Sequence, residues 1–164
     1  MRGLSAVGLD FIDNAVTRHE VIGTVRLSAD QVFASLAEHP ERWPAWFGIA
    51  RTAWYEGGPP FGEGTIRYLR LRGGVVARER ILVWDRSAGV FAYRVEETNA
   101  PGVSAMLERW TVHGLSRDRV RVGWLIAIDA TAPVRTLVRW RRPIDGLFHR
   151  AMRRLEEQAG RRRT

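Results

Sequence analysis

The sequence predicts an α+β domain in which a curved antiparallel sheet of about seven strands packs around a long C-terminal helix. Three observations lead to this class. The strand-like segments follow one another through connections that are too short for parallel crossovers. Two short helical segments interrupt them once, after the first strand. The C-terminal part carries a helical apolar stripe, which is large enough to cover the inner face of such a sheet.

The composition is that of one folded domain. The chain has 164 residues, 45% of them hydrophobic, and seven Trp, which excludes a disordered chain. No apolar run reaches the roughly 18–20 residues that span a bilayer. The absence of Cys excludes disulfides, thiol nucleophiles and zinc-finger clusters. We expect a single domain over 1–164 with flexible ends at 1–16 and 160–164. The N-terminus lacks a signal-peptide core, which predicts a cytoplasmic protein.

The net charge of +8 is concentrated at the C-terminus, and all 26 basic residues are Arg. Residues 135–164 contain ten Arg against three carboxylates, which leaves the rest of the chain near neutral. The pattern predicts a neutral body with a basic closing helix and tail.

The first predicted elements are a strand and two helical segments. Residues 17–27 are rich in β-branched side chains, which favours a strand. Ser28 can cap a helix over 29–39, which must end before Pro40. Residues 41–47 form a second, shorter helical segment.

Six strands and a long helix complete the prediction. The strands are separated by turns rich in Gly, Pro, Asn or Ser, with bounds 49–56, 65–73, 75–85, 90–98, 106–115 and 119–129. The helix begins at Ala132-Pro133 and runs to about residue 159. We expect Pro143 to kink this helix or to divide it in two.

Alternation along the last three strands separates an inner apolar face from an outer one. The inner sets are Phe91, Tyr93 and Val95; Met106, Glu108, Trp110 and Val112; and Val120, Val122, Trp124, Ile126 and Ile128. Glu108 is the one carboxylate in these sets. A buried carboxylate is costly unless it is paired or used, so Glu108 is the first candidate for chemistry.

The faces of two earlier strands are less clear. On 65–73, the set Thr65, Arg67, Leu69 and Leu71 is more apolar than the set Ile66, Tyr68, Arg70 and Arg72, and is favoured as the inner one. On 75–85, the pattern does not separate Glu79, Ile81 and Val83 from Arg80, Leu82 and Trp84.

This order of elements resembles the START/Bet v 1-type (SRPBCC) superfamily of helix-grip proteins, especially bacterial polyketide cyclase/dehydrase-like members. The resemblance covers about residues 17–159. It depends on the segments ADQVFASLAEHPERWPAWF, GEGTIRYLRL and RERILVWDRSAGVFAYRV and on the closing helix. It implies a cavity between sheet and helix that binds a hydrophobic or aromatic small molecule, lipid-like or polyketide-like. It implies no cofactor and no metal, and the four His show no metal-ligand spacing.

Three polar residues are expected to line such a cavity. Glu108 could serve as a general acid or base, because burial raises the pKa of a carboxyl group. Arg67 could hold a ligand carboxylate or enolate, and Tyr93 could donate to a ligand carbonyl. The alternative is that Glu108 and Arg67 form an ordinary buried ion pair.

Apolar side chains complete the expected site, although each Trp could equally be plain core. The ligand-binding candidates are Arg67, Leu69, Tyr93, Met106, Trp110, Trp124 and Phe148, and those for the cavity mouth are Trp43, Trp46 and Phe47.

Three functions compete at this point. The favoured one is a protein that binds a hydrophobic small molecule. The second is a cyclase/aromatase-like enzyme that uses Glu108 as acid/base. The third is an interaction module that uses the basic C-terminal helix, with a membrane surface as one partner. No aromatic residues alternate with the tail arginines, which argues against nucleic acid. The oligomeric state stays open.

Overall fold

The computed structural model describes residues 1–161, so Arg162 and Arg163 of the basic tail lie outside the described residues. The strands are β1 Arg2–Gly3, β2 Thr17–Val25, β3 Ala50–Tyr55, β4 Ile66–Leu71, β5 Val76–Asp85, β6 Val90–Thr98, β7 Val103–Ser116 and β8 Arg119–Ala130. The α-helices are α1 Phe11–Asn14, α2 Ala29–Phe33, α3 Trp43–Trp46, α4 Ala132–Arg139 and α5 Arg141–Arg161.

One antiparallel sheet contains all of these strands. Its order is β2-β8-β7-β6-β5-β4-β3, and β1 pairs with the end of β6. Strands β3 to β8 therefore form a continuous meander, and β2 closes the sheet on β8. The predicted α+β helix-grip architecture is confirmed. Within residues 1–161, no helix combines the length and hydropathy needed to cross a bilayer.

The predicted cap after the first strand is present. The Ser28 hydroxyl accepts from the Gln31 amide, and the Gln31 side chain accepts from the Ser28 amide in return. The helix expected over 29–39 changes after α2 into a π-helical turn, Ala34–Glu38. A 3-10 turn, Pro40–Arg42, then leads into α3.

The closing helix is divided rather than kinked. The break lies at Trp140, whose backbone between α4 and α5 is not helical, with φ −76° and ψ 75°. Pro143 follows in the first turn of α5, where its missing amide hydrogen costs no intrahelical hydrogen bond. The prediction of a division is thus confirmed, but the break precedes the proline.

The predicted inner faces are confirmed for β4, β6, β7 and β8, whose inward side chains belong to the main core. The structure of β5 shows why the sequence pattern did not separate the two faces of this strand. A register shift between Ile81 and Val83 changes the face of the strand midway. Glu79 and Ile81 therefore point inward before the shift, and Trp84 packs against the same core after it.

The N-terminal segment covers the outer face of the sheet. Residues 1–16, which the sequence predicts to be flexible, contain β1 and α1. Phe11 and Ile12 of α1 are buried against Leu107 of β7 and Leu125 of β8. The sheet is therefore covered on both faces at this point, which explains why Leu107 and Leu125 are apolar although they point away from α5.

We predict that Phe11→Ala lowers the free energy of unfolding by about 3 kcal/mol, because it removes a ring buried against the outer face. Leu9→Ala is the control, since Leu9 is 46% exposed, and should change stability by less than about 0.5 kcal/mol. Urea denaturation measures both. If Phe11→Ala and Leu9→Ala both changed the free energy of unfolding by the same small amount, α1 would not pack on the sheet.

Candidate functional site

An aromatic cluster fills the space between the sheet and α5. Its members are Trp43, Trp46, Phe47, Trp110, Trp124 and Phe148. None of them is more than 4% exposed. Trp110 lies at the centre: its ring stacks on Trp124 with centroids 5.0 Å apart and lies 6.2 Å from Phe148 of α5. Trp110 also contacts three rings in and directly after α3, those of Trp43, Trp46 and Phe47.

This packing buries the three residues expected at a cavity mouth, although Trp46 also lines a cleft at the surface. Trp43, Trp46 and Phe47 are 0%, 1% and 3% exposed and contact the central ring. At this level the side chains themselves occupy the volume between sheet and helix. An internal ligand must therefore displace some of these rings.

Arg67 forms a buried ion pair with Glu79. The two residues are directly opposite each other on β4 and β5, and Arg67 Nε lies 2.6 Å from Glu79 Oε2. The alternative of an ordinary ion pair between Arg67 and Glu108 is not what the structure shows, because the strand register brings Glu79 to the guanidinium instead. Burial raises the pKa of Glu79, and the charge and hydrogen bond of Arg67 oppose this rise.

The Arg67 guanidinium lies between two aromatic rings. Its Cζ is 4.2 Å from the ring centroid of Trp43 and 4.2 Å from that of Tyr93. The side chain is fully buried, and Nη1 and Nη2 have no hydrogen-bond partner among residues 1–161. Buried donors without acceptors are costly and rare, so these two nitrogens need an explanation.

Glu108 accepts two hydrogen bonds on a single oxygen. Tyr93, which is directly opposite on β6, donates its hydroxyl to Oε2 at 2.7 Å. Trp124 of β8 donates Nε1–H to the same atom at 2.7 Å. Trp110 donates to the Tyr93 hydroxyl at 3.2 Å and so fixes the phenol. Both of the hydrogen bonds from Tyr93 and Trp124 use Oε2, and neither uses Oε1.

The environment of Glu108 places its titration near neutrality. Burial, with the added negative charge of Glu79, raises the pKa of Glu108 to about 7, although the hydrogen bonds from Tyr93 and Trp124 lower it. Burial and the Glu108 charge raise the pKa of Tyr93, so its hydroxyl keeps its proton. Both protonation states of Glu108 are therefore accessible at pH 7, as proton transfer by this group would require.

Two contacts with β2 help to hold helix α5 over this cluster, one apolar and one polar. Phe148 approaches β2 where Gly23 has no side chain, and a Cβ there would lie 2.8 Å from Phe148 Cε1. His19 of β2 is buried, with Nε2 2.7 Å from Asp145 Oδ1 of α5. Neither contact was predicted from the sequence.

The structure brings most of the predicted site residues together. Arg67, Tyr93 and Glu108 share one side of the aromatic cluster, Leu69 is buried in the same core, and Met106 packs against its edge. Their roles in binding or catalysis stay predictions.

Two polar residues of this site were not among the sequence candidates. Glu79 was left undecided because of the shift in β5. Tyr55, directly opposite Arg67 on β3, was not assigned a face, and its hydroxyl donates to the Ala37 carbonyl at 2.6 Å. Alternation along β3 could have indicated Tyr55, because Ala53 and Tyr55 are both buried two residues apart.

Comparisons with known proteins agree with this architecture. Residues 17–160 match the family described as polyketide cyclase / dehydrase and lipid transport. An uncharacterised protein of Mycobacterium tuberculosis is 29% identical over 148 residues, which are 90% of this chain and 85% of that protein.

Solved structures share the fold. The Zhui aromatase/cyclase from Streptomyces sp. R1128 superposes with a TM-score of 0.70 at 18% identity, over 90% of this chain and 96% of that one. A START superfamily protein from Mycobacterium smegmatis gives a TM-score of 0.67 at 12% identity, over 88% and 97% of the two chains. At these identities, the likeness is one of fold.

We predict that Glu108 makes the protein less stable as pH rises. A carboxyl whose pKa is raised from 4.5 to about 7 binds more protons in the native state than in the unfolded state between these pH values. The free energy of unfolding therefore falls across this window, by about 3 kcal/mol in total from this group. Glu108→Gln removes this fall in the free energy of unfolding, because glutamine does not titrate. The glutamine carbonyl can still accept the hydrogen bonds from Tyr93 and Trp124.

The check is urea denaturation of wild type and variant at pH 4.5 and pH 8. The difference in unfolding free energy should shift in favour of Glu108→Gln by about 3 kcal/mol at the higher pH. Glu157→Gln, on the exposed side of α5, controls for the loss of one carboxylate. If the unfolding free energies of wild type and Glu108→Gln changed equally between the two pH values, the raised pKa of Glu108 would be contradicted.

Proposed function

Because the chain belongs to the polyketide cyclase/dehydrase and lipid transport family, we propose that it binds a hydrophobic or aromatic small molecule between the sheet and α5. This membership confirms the resemblance found in the sequence. The proposed inner site consists of Arg67, Tyr93 and Glu108 with the surrounding rings of the aromatic cluster.

The observation that carries this proposal is the pair of unpartnered donors on Arg67. Nη1 and Nη2 are buried among aromatic rings and make no hydrogen bond of ordinary geometry within residues 1–161, although the Tyr55 hydroxyl lies near the guanidinium and interacts with it. An oxygen of a bound molecule would satisfy both in a bidentate contact. The ligand is therefore expected to carry a carbonyl, enolate or carboxylate group.

The remainder of the ligand is expected to be flat and apolar. A ring that displaces one of the cluster side chains can recover the stacking and edge contacts that the side chain loses, for instance against Trp110 or Trp43. A ligand made mainly of polar groups could not recover these contacts, because the aromatic cluster offers few hydrogen-bond acceptors. This supports aromatic or polyketide-like ligands over sugars or nucleotides.

A cyclase-like enzyme is the second candidate, and the state of Glu108 favours it. The carboxyl has a pKa of about 7 and one oxygen that the hydrogen bonds from Tyr93 and Trp124 do not use. Oε1 could remove a proton next to a ligand carbonyl while Arg67 stabilises the enolate oxygen that forms. Proton transfer by a positioned group contributes roughly 10²–10⁴ in rate. Ligand binding requires only the pocket, whereas a cyclase-like reaction also requires the Glu108 carboxyl.

We predict that Arg67→Gln weakens binding of 8-anilinonaphthalene-1-sulfonate, an aromatic anion that fluoresces in apolar surroundings, by about tenfold. Arg70→Gln is the matched control, because Arg70 lies on the outer face of the same strand and is exposed. Fluorescence titration measures both.

Loss of Arg67 alone leaves Glu79 buried without its partner, so Arg67→Gln/Glu79→Gln is tested in parallel as a neutral pair that can still hydrogen bond. Equal affinities of wild type, both Arg67 variants and Arg70→Gln would refute the inner site. Native mass spectrometry of the purified protein should show a co-purified small molecule that Arg67→Gln retains less.

Glu108→Gln separates the two functions when a poly-β-ketone analogue is used as substrate. For an enzyme, turnover should fall at least about 100-fold with little change in affinity. For a binding protein, wild type converts none of the analogue, and the substitution alters affinity alone. Product analysis by mass spectrometry together with the fluorescence titration distinguishes these outcomes.

A further inference from the structure

A surface cleft of about 370 Å³ lies between the short helices and the C-terminal end of α5. We call it the outer cleft; its lining residues include Leu27, Gln31, His39, Arg42, Trp46, Leu155, Gln158 and Ala159. Its floor is apolar and its rim carries amide, imidazole and guanidinium groups. This volume lies at the lower end of the range for small-molecule sites.

Trp46 belongs both to the outer cleft and to the aromatic cluster. It lines the cleft, and its ring centroid lies 5.1 Å from that of Trp43 and 6.3 Å from that of Trp110. One indole therefore separates the surface cleft from the central ring of the proposed inner site.

Trp46 differs from its neighbours in lacking a hydrogen bond. Trp43 donates to the Leu36 carbonyl at 3.0 Å, Trp110 to Tyr93 at 3.2 Å and Trp124 to Glu108 at 2.7 Å. Trp46 Nε1 is buried with no partner among residues 1–161. Turning this indole outward therefore breaks ring contacts but no hydrogen bond, and it allows an unsatisfied N–H to reach an acceptor.

We propose that the outer cleft is a second binding site, which receives the ligand before it passes Trp46 to the inner site. This inference rests on the proposed function. The ligand class is an amphiphile with an aromatic or aliphatic body and one acidic group. Leu27 and Leu155 contact the body, and Arg42 at the rim contacts the acid.

The rim supports an acidic group through Arg42. Its ion pair with Glu41 is long, 3.6 Å at Nε, and its side chain is 44% exposed. Because this ion pair uses Nε, the Nη atoms can contact a ligand anion in a bidentate manner. Glu41 also lies 3.3 Å from Nδ1 of His39, so Arg42 is one of two neighbours of this carboxylate.

The main test is Ala159→Phe, which places a larger side chain in the lining of the outer cleft. Stopped-flow fluorescence with 8-anilinonaphthalene-1-sulfonate should show the association and dissociation rates both reduced about tenfold and the equilibrium affinity unchanged within about twofold, because a narrowed passage slows both directions equally. Gly160→Phe is the matched control, since a side chain at Gly160 meets open space; its rates should equal those of wild type.

Two further variants test whether Trp46 limits passage to the inner site and whether the cleft recognises an acidic group on the ligand. Trp46→Phe, with a smaller ring, should raise both rates about fivefold, whereas Trp54→Phe should not, because Trp54 is 39% exposed on β3 and lies outside the aromatic cluster. Arg42→Gln should slow association of the sulfonate probe about threefold but leave N-phenyl-1-naphthylamine, the same molecule without the sulfonate, unchanged.

The outcomes separate this inference from the proposed function. Wild-type binding that depends on Arg67, with rates unaffected by Ala159→Phe, would overturn the outer cleft alone. A weakened affinity in Ala159→Phe without slower association would overturn its role as a passage. Absence of Arg67-dependent binding in wild type would overturn the inner site, and the outer cleft with it.

Discussion

The buried ion pair between Arg67 and Glu79 is the interaction on which the inner site depends. Two charges in an apolar interior are tolerable only when each compensates the other, and the direct opposition of β4 and β5 brings the two groups to 2.6 Å. The same contact fixes the guanidinium plane between Trp43 and Tyr93. The pair therefore determines where the free donors of Arg67 point, and positions 67 and 79 act as one unit.

Tyr93 connects this unit to Glu108. Its ring contacts the guanidinium, and its hydroxyl donates to the Glu108 carboxyl. The charge of Glu79 adds to the effect of burial in raising the pKa of Glu108. The antiparallel pairings from β4 to β7 thus place a cation, a phenol and a titratable acid near one another on the inner face of the sheet. The polar part of the site is made by the sheet alone, and α5 contributes only its apolar cover.

The sequence predicted those parts of this arrangement that depend on local alternation. Glu108 was assigned to the inner face because its strand alternates without interruption. Glu79 could not be assigned, because the register shift between Ile81 and Val83 mixes the two faces in one strand. The partner of Arg67 could not be predicted either, since it depends on how strands distant in sequence align. The N-terminal cover of the outer face escaped prediction because its short helix has too few residues to show a period.

The charges of the inner site limit the kind of ligand that it can hold. Arg67 is already neutralised by Glu79, so a ligand anion beside the guanidinium would also lie near Glu79, and near Glu108 when that carboxyl is ionised. Repulsion from a second anion raises the pKa of a carboxyl, and Glu108 is the group that can accept the compensating proton. A carbonyl ligand satisfies the Arg67 donors without adding charge. We therefore expect the inner site to favour a ketone or enol oxygen at Arg67, and to hold a carboxylate only together with a protonated Glu108.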